Sequence, residues 1–440
     1  MFMALRLLRL GSEHGIFLVL LLLGAFFSFV TLKDQTVTGP DAVAQVMGKL
    51  EGKARVLIAV TSQPQDMAFA ELMERELQRA GKPAAAVVKG DPKAAREALQ
   101  KLSASAGKLD AIVCQGASAT WLVFADLKTD FPSLGSAPLI QPHSYRWPTF
   151  LKADNLLNIA NQIAVIAILA IGMTMVIITG GIDLSVGSLI ALSAVVTTLM
   201  IRDVFGGAGA SAGGMTLAAL GGIGLCGVSG WLSGQLITRM SVPPFIVTLG
   251  VMLMASGGAY RLAENQSVYQ VPDSFVWLGR GTDLLNLPNA VVLMLVLYAA
   301  AHGVMTQTRF GRYLYAVGGN VEAALLSGVP VRRVIITAYL ICGLLAGLGG
   351  VVTASLLKSG SPTYGGMYEL YVIAAVVVGG TRLSGGKGTM PGTLAGAFII
   401  AIIQNGMNLT NVESNTQKIV LGLVILTAVL VDRMRGGRSV

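Results

Sequence analysis

The sequence predicts an all-α polytopic membrane protein of about ten transmembrane helices, carrying a small inserted α/β domain. Its 440 residues are 53% hydrophobic and only 12% charged, where roughly a quarter of a soluble chain is charged. Uncharged apolar runs of membrane-crossing length recur along most of the chain, and residues 34–150 alone break the pattern, alternating short strands with amphipathic helices.

The runs 15–32, 159–181, 184–201, 213–238, 241–260, 285–307, 334–357 and 388–412 each approach or exceed the ~18 residues that cross ~30 Å of hydrocarbon as a helix. The shorter runs 370–381 and 419–431 complete the ten, buried core helices being the other reading of these two. With the N-terminus inside, the cytoplasmic segments hold twelve bases: Arg6, Arg9, Arg239, Arg309, Arg312, Arg332, Arg333, Arg382, Lys387, Arg433, Arg435 and Arg438. The short outer loops hold five: Arg202, Arg261, Arg280, Lys358 and Lys418. Basic residues in short loops mark the cytoplasm, so both termini are expected inside. That bias accounts for the net charge of +9 without nucleic acid. The first run reads as an uncleaved anchor, because no small-x-small cleavage site follows "GAFFSFVTLKD".

The organisation expected is thus a tail and first span over 1–33, an extracytoplasmic α/β insertion over 34–150, and a membrane core over 151–440 with a cytoplasmic loop at 308–333. In the insertion, "ARVLIAV", "PAAAVVKG", "KLDAIVC" and "SAPLIQP" read as strands, and "DMAFAELMERELQRAG" and "DPKAAREALQKLSASAG" as helices. Short links between them favour a parallel sheet covered by helices. The element order resembles one lobe of a periplasmic sugar-binding protein, best in "GDPKAAREALQKL…LDAIV". A lone lobe has no second face to close on a ligand, so a docking or structural domain is the other reading.

Three cysteines (Cys114, Cys226, Cys342) and three histidines (His14, His143, His302) are dispersed and give no disulfide framework or metal site. Two stretches stand out in the membrane core. In "ITGGIDLSVGSL" an acid, Asp183, stands at the junction of two apolar runs. Gly180 and Gly181 can end one helix, and Asp183 or Ser185 can cap the next; the competing role is a gate, since acids at membrane depth tend to be functional. "VGGTRLSGG" echoes it, with Gly180 and Gly181 falling on Gly379 and Gly380, and Asp183 on Arg382. The same stretch suggests a phosphate loop, but that pattern needs Gly, four residues, then Gly-Lys-Ser/Thr. Thr381 stands where its first glycine should be and Gly388 where its hydroxyl should be, so no ATP hydrolysis is expected of this chain. In the basic loop "RFGRYLYAVGGNVEAALLSGVPVRR", Asn320 can cap a short helix that Gly328 ends. A helix of two turns adds little to its own stability and is expected to rest on a partner.

"IGMTMVIITGGIDLSVGSLIAL", "TRFGRYLYAVGGNVEAALLSGV", "CGLLAGLGGVV" and "AAVVVGGTRLSGGKGTMPGTLAGA" resemble the membrane permeases of bacterial ABC sugar importers, in the ribose, xylose and arabinose branch. The resemblance covers the first span and residues 150–435. It implies a permease subunit of the bacterial inner membrane, working as a homodimer or related heterodimer with cytosolic ATPase subunits and a periplasmic sugar-binding protein. ATP and magnesium would be used by the ATPase, with no cofactor in this chain. It also implies that the loop with Gly319, Asn320, Glu322, Ala323, Ala324, Ser327 and Gly328 couples to the ATPase. The insertion departs from the family pattern. A pathway for a neutral sugar wants hydroxyls and amides, which Asn161, Gln162, Thr174, Gln404, Asn405 and Asn408 supply, with Asp183, Ser185 and Arg382 as gate candidates. Each of these amides and hydroxyls could equally serve as an interhelical hydrogen bond. The alternative, an ion-coupled secondary transporter, wants a protonatable acid near mid-membrane, and the acids closest to spans, Asp183 and Glu369, lie near ends.

Overall fold

The computed structural model describes residues 15–436 except 106; Arg6, Arg9 and Arg438, used in the topology argument, and His14, one of the three dispersed histidines, lie outside the described residues. The chain divides into two compact units, Leu32–Pro148 and the remainder.

The described residues open on an apolar helix, α1 (Gly15–Val30), and pass into the smaller unit through β1 (Leu32–Thr36) and α2 (Gly39–Lys49). There follow β2 (Val56–Thr61), α3 (Pro64–Arg79), β3 (Ala86–Gly90), α4 (Pro92–Ala104), β4 (Ala111–Cys114), β5 (Leu139–Ile140) and β6 (Ser144–Pro148). A four-stranded sheet of order β3-β2-β4-β5 is parallel throughout, with Ala59 opposite Val88 and Ile58 opposite Val113. The two-residue period of β2 serves both faces. Val56, Ile58 and Val60 pack with Val46, Phe69 and Met73, whereas Leu57 and Ala59 pack with Leu99, Phe124 and Leu134. Asp91 caps α4, its carboxylate accepting from Ala94 N, with Pro92 opening the helix.

β1 and β6 form a separate antiparallel ladder running from Leu32 opposite Pro148 to Thr36 opposite Ser144. This ladder sets the unit at Leu32–Pro148, where the sequence reading places 34–150. Its ends adjoin and its core lies on both faces of its own sheet, so residues 32–148 excised should fold alone, with the circular-dichroism spectrum of a mixed α/β protein. A disordered spectrum would show that the membrane unit is needed to hold it.

The larger unit continues with α5 (Ala153–Ile178), α6 (Val186–Asp203), α7 (Ala212–Arg239), α8 (Pro244–Leu262), α9 (Asn289–Gln307), α10 (Arg309–Gly319), α11 (Val321–Leu326), α12 (Val331–Leu357), α13 (Tyr368–Val378), α14 (Met390–Leu409) and α15 (Ser414–Gly436). Among the described residues seven of these, α5–α9, α12 and α14, are long and apolar enough to cross a membrane; α1 and α13 are apolar but shorter. Proline fixes two of the starts. Pro244 opens α8 and Pro288 precedes α9, so α9 begins four residues later than its apolar run.

α5 is the central helix, buried on every side from Ile163 to Ile178, as an all-round apolar helix must be. α7 and α12 meet along a seam of glycines. A side chain at Gly230 would strike the carbonyl of Tyr339, one at Gly343 the carbonyl of Cys226, and one at Gly347 the backbone of Ile223. Small residues four apart bring two backbones together in a medium where burial alone gives no drive to associate. Hydroxyls tie further helices, with Tyr298 donating to Ala167 O at 3.0 Å and Ser193 to Gly347 O at 2.7 Å.

Between α12 and α13 the chain runs irregularly, starting from Lys358 in the left-handed region. Ser359, Gly360, Ser361 and Pro362 are all buried. Gly360 exchanges two hydrogen bonds with Val268, at 2.9 and 2.7 Å, and Ser361 O accepts from Tyr364 N at 3.2 Å. Irregular backbone at membrane depth must be satisfied by protein or water, and these bonds do so.

Candidate functional site

The two glycine-rich stretches and the end of α10 converge. At the end of α5, Gly181 N donates to Val176 O at 3.1 Å while Gly180 takes a φ of +81°. At the end of α13, Thr381 N donates to Val376 O at 3.1 Å and Gly380 takes a φ of +84°. Both are the left-handed helix stop that glycine alone enters without strain. By conformation, then, Gly180 matches Gly380 and Gly181 matches Thr381, one residue away from the pairing that sequence letters suggest. The left-handed glycine defines the stop, and the Leu-Ser letters downstream do not.

Past the stops the paths diverge and then touch. Gly386 N donates to the terminal carbonyl of α5, Ile178 O, at 2.9 Å. The Tyr315 hydroxyl, on α10, donates to Gly388 O at 2.7 Å. Gly318, near the end of α10, has no room for a side chain against Ile178 O and Gly386 N. A rigid joint therefore links the α5 stop, the loop after α13 and the segment leading into α11.

Asp183 lies just behind that joint, 1% exposed. Its Oδ1 accepts from Ser185 N at 2.9 Å and Ser185 Oγ at 2.6 Å. Ser185 occupies the N-cap of α6, but its side chain makes no capping bond. Asp183 thus holds the turn ahead of the helix, with the free N–H groups of α6 left to others. Its Oδ2 makes no hydrogen bond, and the Cys342 thiol, a weak donor, is near the carboxyl group. Tyr339 closes the other side, donating to Ile182 O at 3.4 Å and filling the space beside Gly181.

The polar residues of the apolar helices do not share one surface. The Thr174 hydroxyl donates to Ala170 O at 2.6 Å and meets Thr393 Oγ1 on α14 at 2.8 Å. Asn405 and Asn155 exchange amide hydrogen bonds of 2.9 and 3.1 Å between α14 and α5. Asn408 Oδ1, exposed, accepts from Gln417 on α15 at 2.8 Å. Gln162 is exposed and Gln404 half-buried. Asn161 differs, since its Oδ1 is buried without a hydrogen bond. Arg382 is half-buried in the turn after α13, where its backbone N–H donates to Lys387 O at 3.0 Å.

α11 has the caps its sequence calls for. Asn320 Oδ1 accepts from Ala323 N at 2.9 Å, Ser327 Oγ donates to Ala323 O at 2.8 Å, and Gly328 ends the helix at a φ of +79°. Gly319, Glu322 and Ala323 are exposed. Ala324, grouped with Ala323 from sequence as a contact residue, is only 4% exposed and packs into the main core. The outer face instead carries Val321 at 48%, Leu325 at 64% and Leu326 at 89% exposure. The sequence reading passed over these three; their signal is a set of apolar residues on a short helix in an otherwise basic loop.

Residues 155–429 match the model of a family described as branched-chain amino acid transport system / permease component. The ribose import permease protein RbsC of Escherichia coli K12 is 42% identical over 292 residues, covering 66% of this chain and 88% of that protein. RbsC of Bacillus subtilis is 41% identical over 306 residues, 69% of this chain and 92% of that one. The D-allose transport system permease protein AlsC of Escherichia coli K12 is 34% identical over 286 residues, 65% and 85% respectively. No solved structure matches the chain. Residues 32–148 lie outside the family match.

Proposed function

The chain belongs to the branched-chain amino acid transport system / permease component family, and from that premise we propose that it is the membrane permease subunit of an ATP-binding-cassette importer of a monosaccharide. Its relatives are named for ribose and allose, which puts a pentose or hexose first among substrates. The observation that carries the reading is the joint at Ile178, Gly318 and Gly386. It connects the central helix α5 to the base of α11, so a push on α11 reaches the bundle through backbone contacts.

In this reading the permease sits in the bacterial inner membrane with both termini in the cytoplasm and residues 32–148 outside. Two cytosolic ATPase subunits dock on α11 of each permease in a pair and use ATP and magnesium; this chain hydrolyses nothing. A periplasmic sugar-binding protein delivers the substrate. The translocation path draws on Asn161, Gln162, Thr174, Asp183, Ser185, Arg382, Asn405 and Asn408. Asn161 and Asp183 have the strongest support, because each keeps a buried oxygen without a hydrogen bond, and such oxygens call for a partner. Thr174 and Asn405 spend theirs between helices.

The test is expression with the ATPase and binding protein in cells lacking their own ribose and allose permeases, followed by uptake of labelled ribose, allose and a control amino acid. Energised uptake of a sugar supports the proposal, and uptake of the amino acid alone refutes it. In the same assay Asp183→Asn keeps the shape of the turn but removes the charge. Uptake should fall at least tenfold at unchanged membrane abundance; uptake at the unsubstituted rate would leave Asp183 only its turn-holding role.

A further inference from the structure

α13 carries a single acid, Glu369, in its first turn. From Glu369 to the stop at Gly380 the chain rises about 16 Å. Across from it, Gly187 in the first turn of α6 has no room for a side chain, because the Glu369 carboxylate and Gly365 O fill the space. From Gly187 to Arg202, near the far end of α6, the rise is about 22 Å. The two distances, taken from opposite faces, put Glu369 deep within the ~30 Å of hydrocarbon, whichever face is cytoplasmic. In the sequence this acid stands near the end of an apolar run; in the fold that end lies inside the bilayer.

The irregular stretch that leads into α13 descends along α6, with Gly360 against Thr198 and Gly365 against Gly187 and Ile190. Its upper part is sealed, but Thr363, Gly366 and Met367 are exposed. Exposed irregular backbone at membrane depth is tolerated only where it meets protein or lines a water-filled cavity. Glu369 itself is half-buried, with its carboxylate near its own N–H, and among the described residues it forms no salt bridge. An acid at this depth with no cation beside it faces the bundle interior or a watery path rather than lipid.

We propose that residues 363–369 line the conduction path and that Glu369 accepts hydrogen bonds from neighbouring hydroxyls of the sugar in transit, so that it selects which solutes pass. The proposal rests on the importer reading. A carboxylate offers two oxygens that only accept, and its bonds from hydroxyl donors are charge-assisted and short. Adjacent hydroxyls of a pentose or hexose supply two such donors and bring no charge into the membrane.

The test is cysteine accessibility in membranes carrying the full chain with its ATPase and binding protein. Glu369→Cys and Thr363→Cys are each treated with a charged, membrane-impermeant methanethiosulfonate during ATP-driven cycling, in the presence of ribose, allose or leucine. Cys114, Cys226 and Cys342 are buried and set the background. Both introduced thiols should react above that background, since the thiolate is the reactive form and needs water, and either sugar should slow the labelling of Glu369→Cys where leucine does not. Glu369→Gln should lower sugar uptake about tenfold, the worth of one charged hydrogen bond, at unchanged abundance and Tm. Glu369→Asp should recover part of that loss. Thiols no more reactive than the background would set the stretch against lipid or a second copy and overturn the proposal. So would labelling that sugar leaves unchanged, or uptake at the unsubstituted rate in Glu369→Gln. These three results can occur while the unsubstituted complex still imports sugar, so they leave the importer reading standing. Sugar uptake without the ATPase, driven by a proton gradient, would make Glu369 a coupling acid and remove both.

Discussion

Replacing Leu325 and Leu326 together by aspartate should abolish ATP-driven uptake in a permease that still inserts and folds. Neither side chain belongs to the core of its own chain; they are 64% and 89% exposed on α11. Ala324, between Ala323 and Leu325, anchors the helix from the other side. A leucine fully removed from water at an interface contributes about 1.5–3 kcal/mol, and a carboxylate left there without a partner adds a further desolvation cost. Losing two leucines therefore weakens ATPase docking by at least about a hundredfold. Co-purification of the ATPase with the double variant, together with sugar uptake, measures this. Retained ATPase and undiminished uptake would place the coupling contact somewhere other than α11. Ala324→Asp is the useful contrast, because it should damage the loop itself, where the leucine pair spares it.

Gly343→Val should lower the thermal stability of the membrane unit and the amount of it that accumulates folded. Its Cβ would meet the carbonyl of Cys226 and the Cα of Gly230, and both are backbone of α7, which no rotamer change can move aside. Overpacking costs about 1–3 kcal/mol even where side chains can give way, so a backbone clash lies at the upper end or beyond. For a protein of this size that is several degrees of Tm. Fluorescence-detected size-exclusion after heating would read it, with Gly343→Ala expected between the two. A valine variant with the unsubstituted Tm and yield would mean that α7 and α12 can part without consequence.

Most of the membrane unit was legible because a bilayer demands long uncharged runs, and a run of that kind is visible letter by letter. The parallel sheet of the insertion was legible for a similar reason, since β2, β3 and β4 are short apolar stretches between caps such as Asp91 and Gly81. The β1–β6 ladder was not. Its strands LKDQT and SYRWP are largely exposed and lie more than a hundred residues apart, so no local periodicity announces them. The site was half legible. Its glycines and Asp183 stand out, but Tyr315, Tyr339 and Cys342 reach it from α10 and α12, and only folding brings them there. Sequence could not say which of Ala323 and Ala324 faces out, because a six-residue helix is too short to show a stripe. Nor could it tell a pathway amide from a structural one. Asn405 looks like either until Asn155 is found opposite it.

The length of α13 bears on how the protein is made. Eleven residues rise only about 16 Å, half of what the hydrocarbon requires, and the irregular stretch before them finds its hydrogen bonds on Val268. A segment like this has little tendency to leave the translocation machinery for lipid on its own, and its polar backbone has no partner until residue 268 is already in place. α13 also packs on α14 and α5, and α14 is synthesised after it. The nascent chain must therefore carry α13 in an unsettled position until α14 emerges. Chains cut between Val378 and Met390 are then poor reporters of topology, because they end before the helix that seats the preceding segment exists.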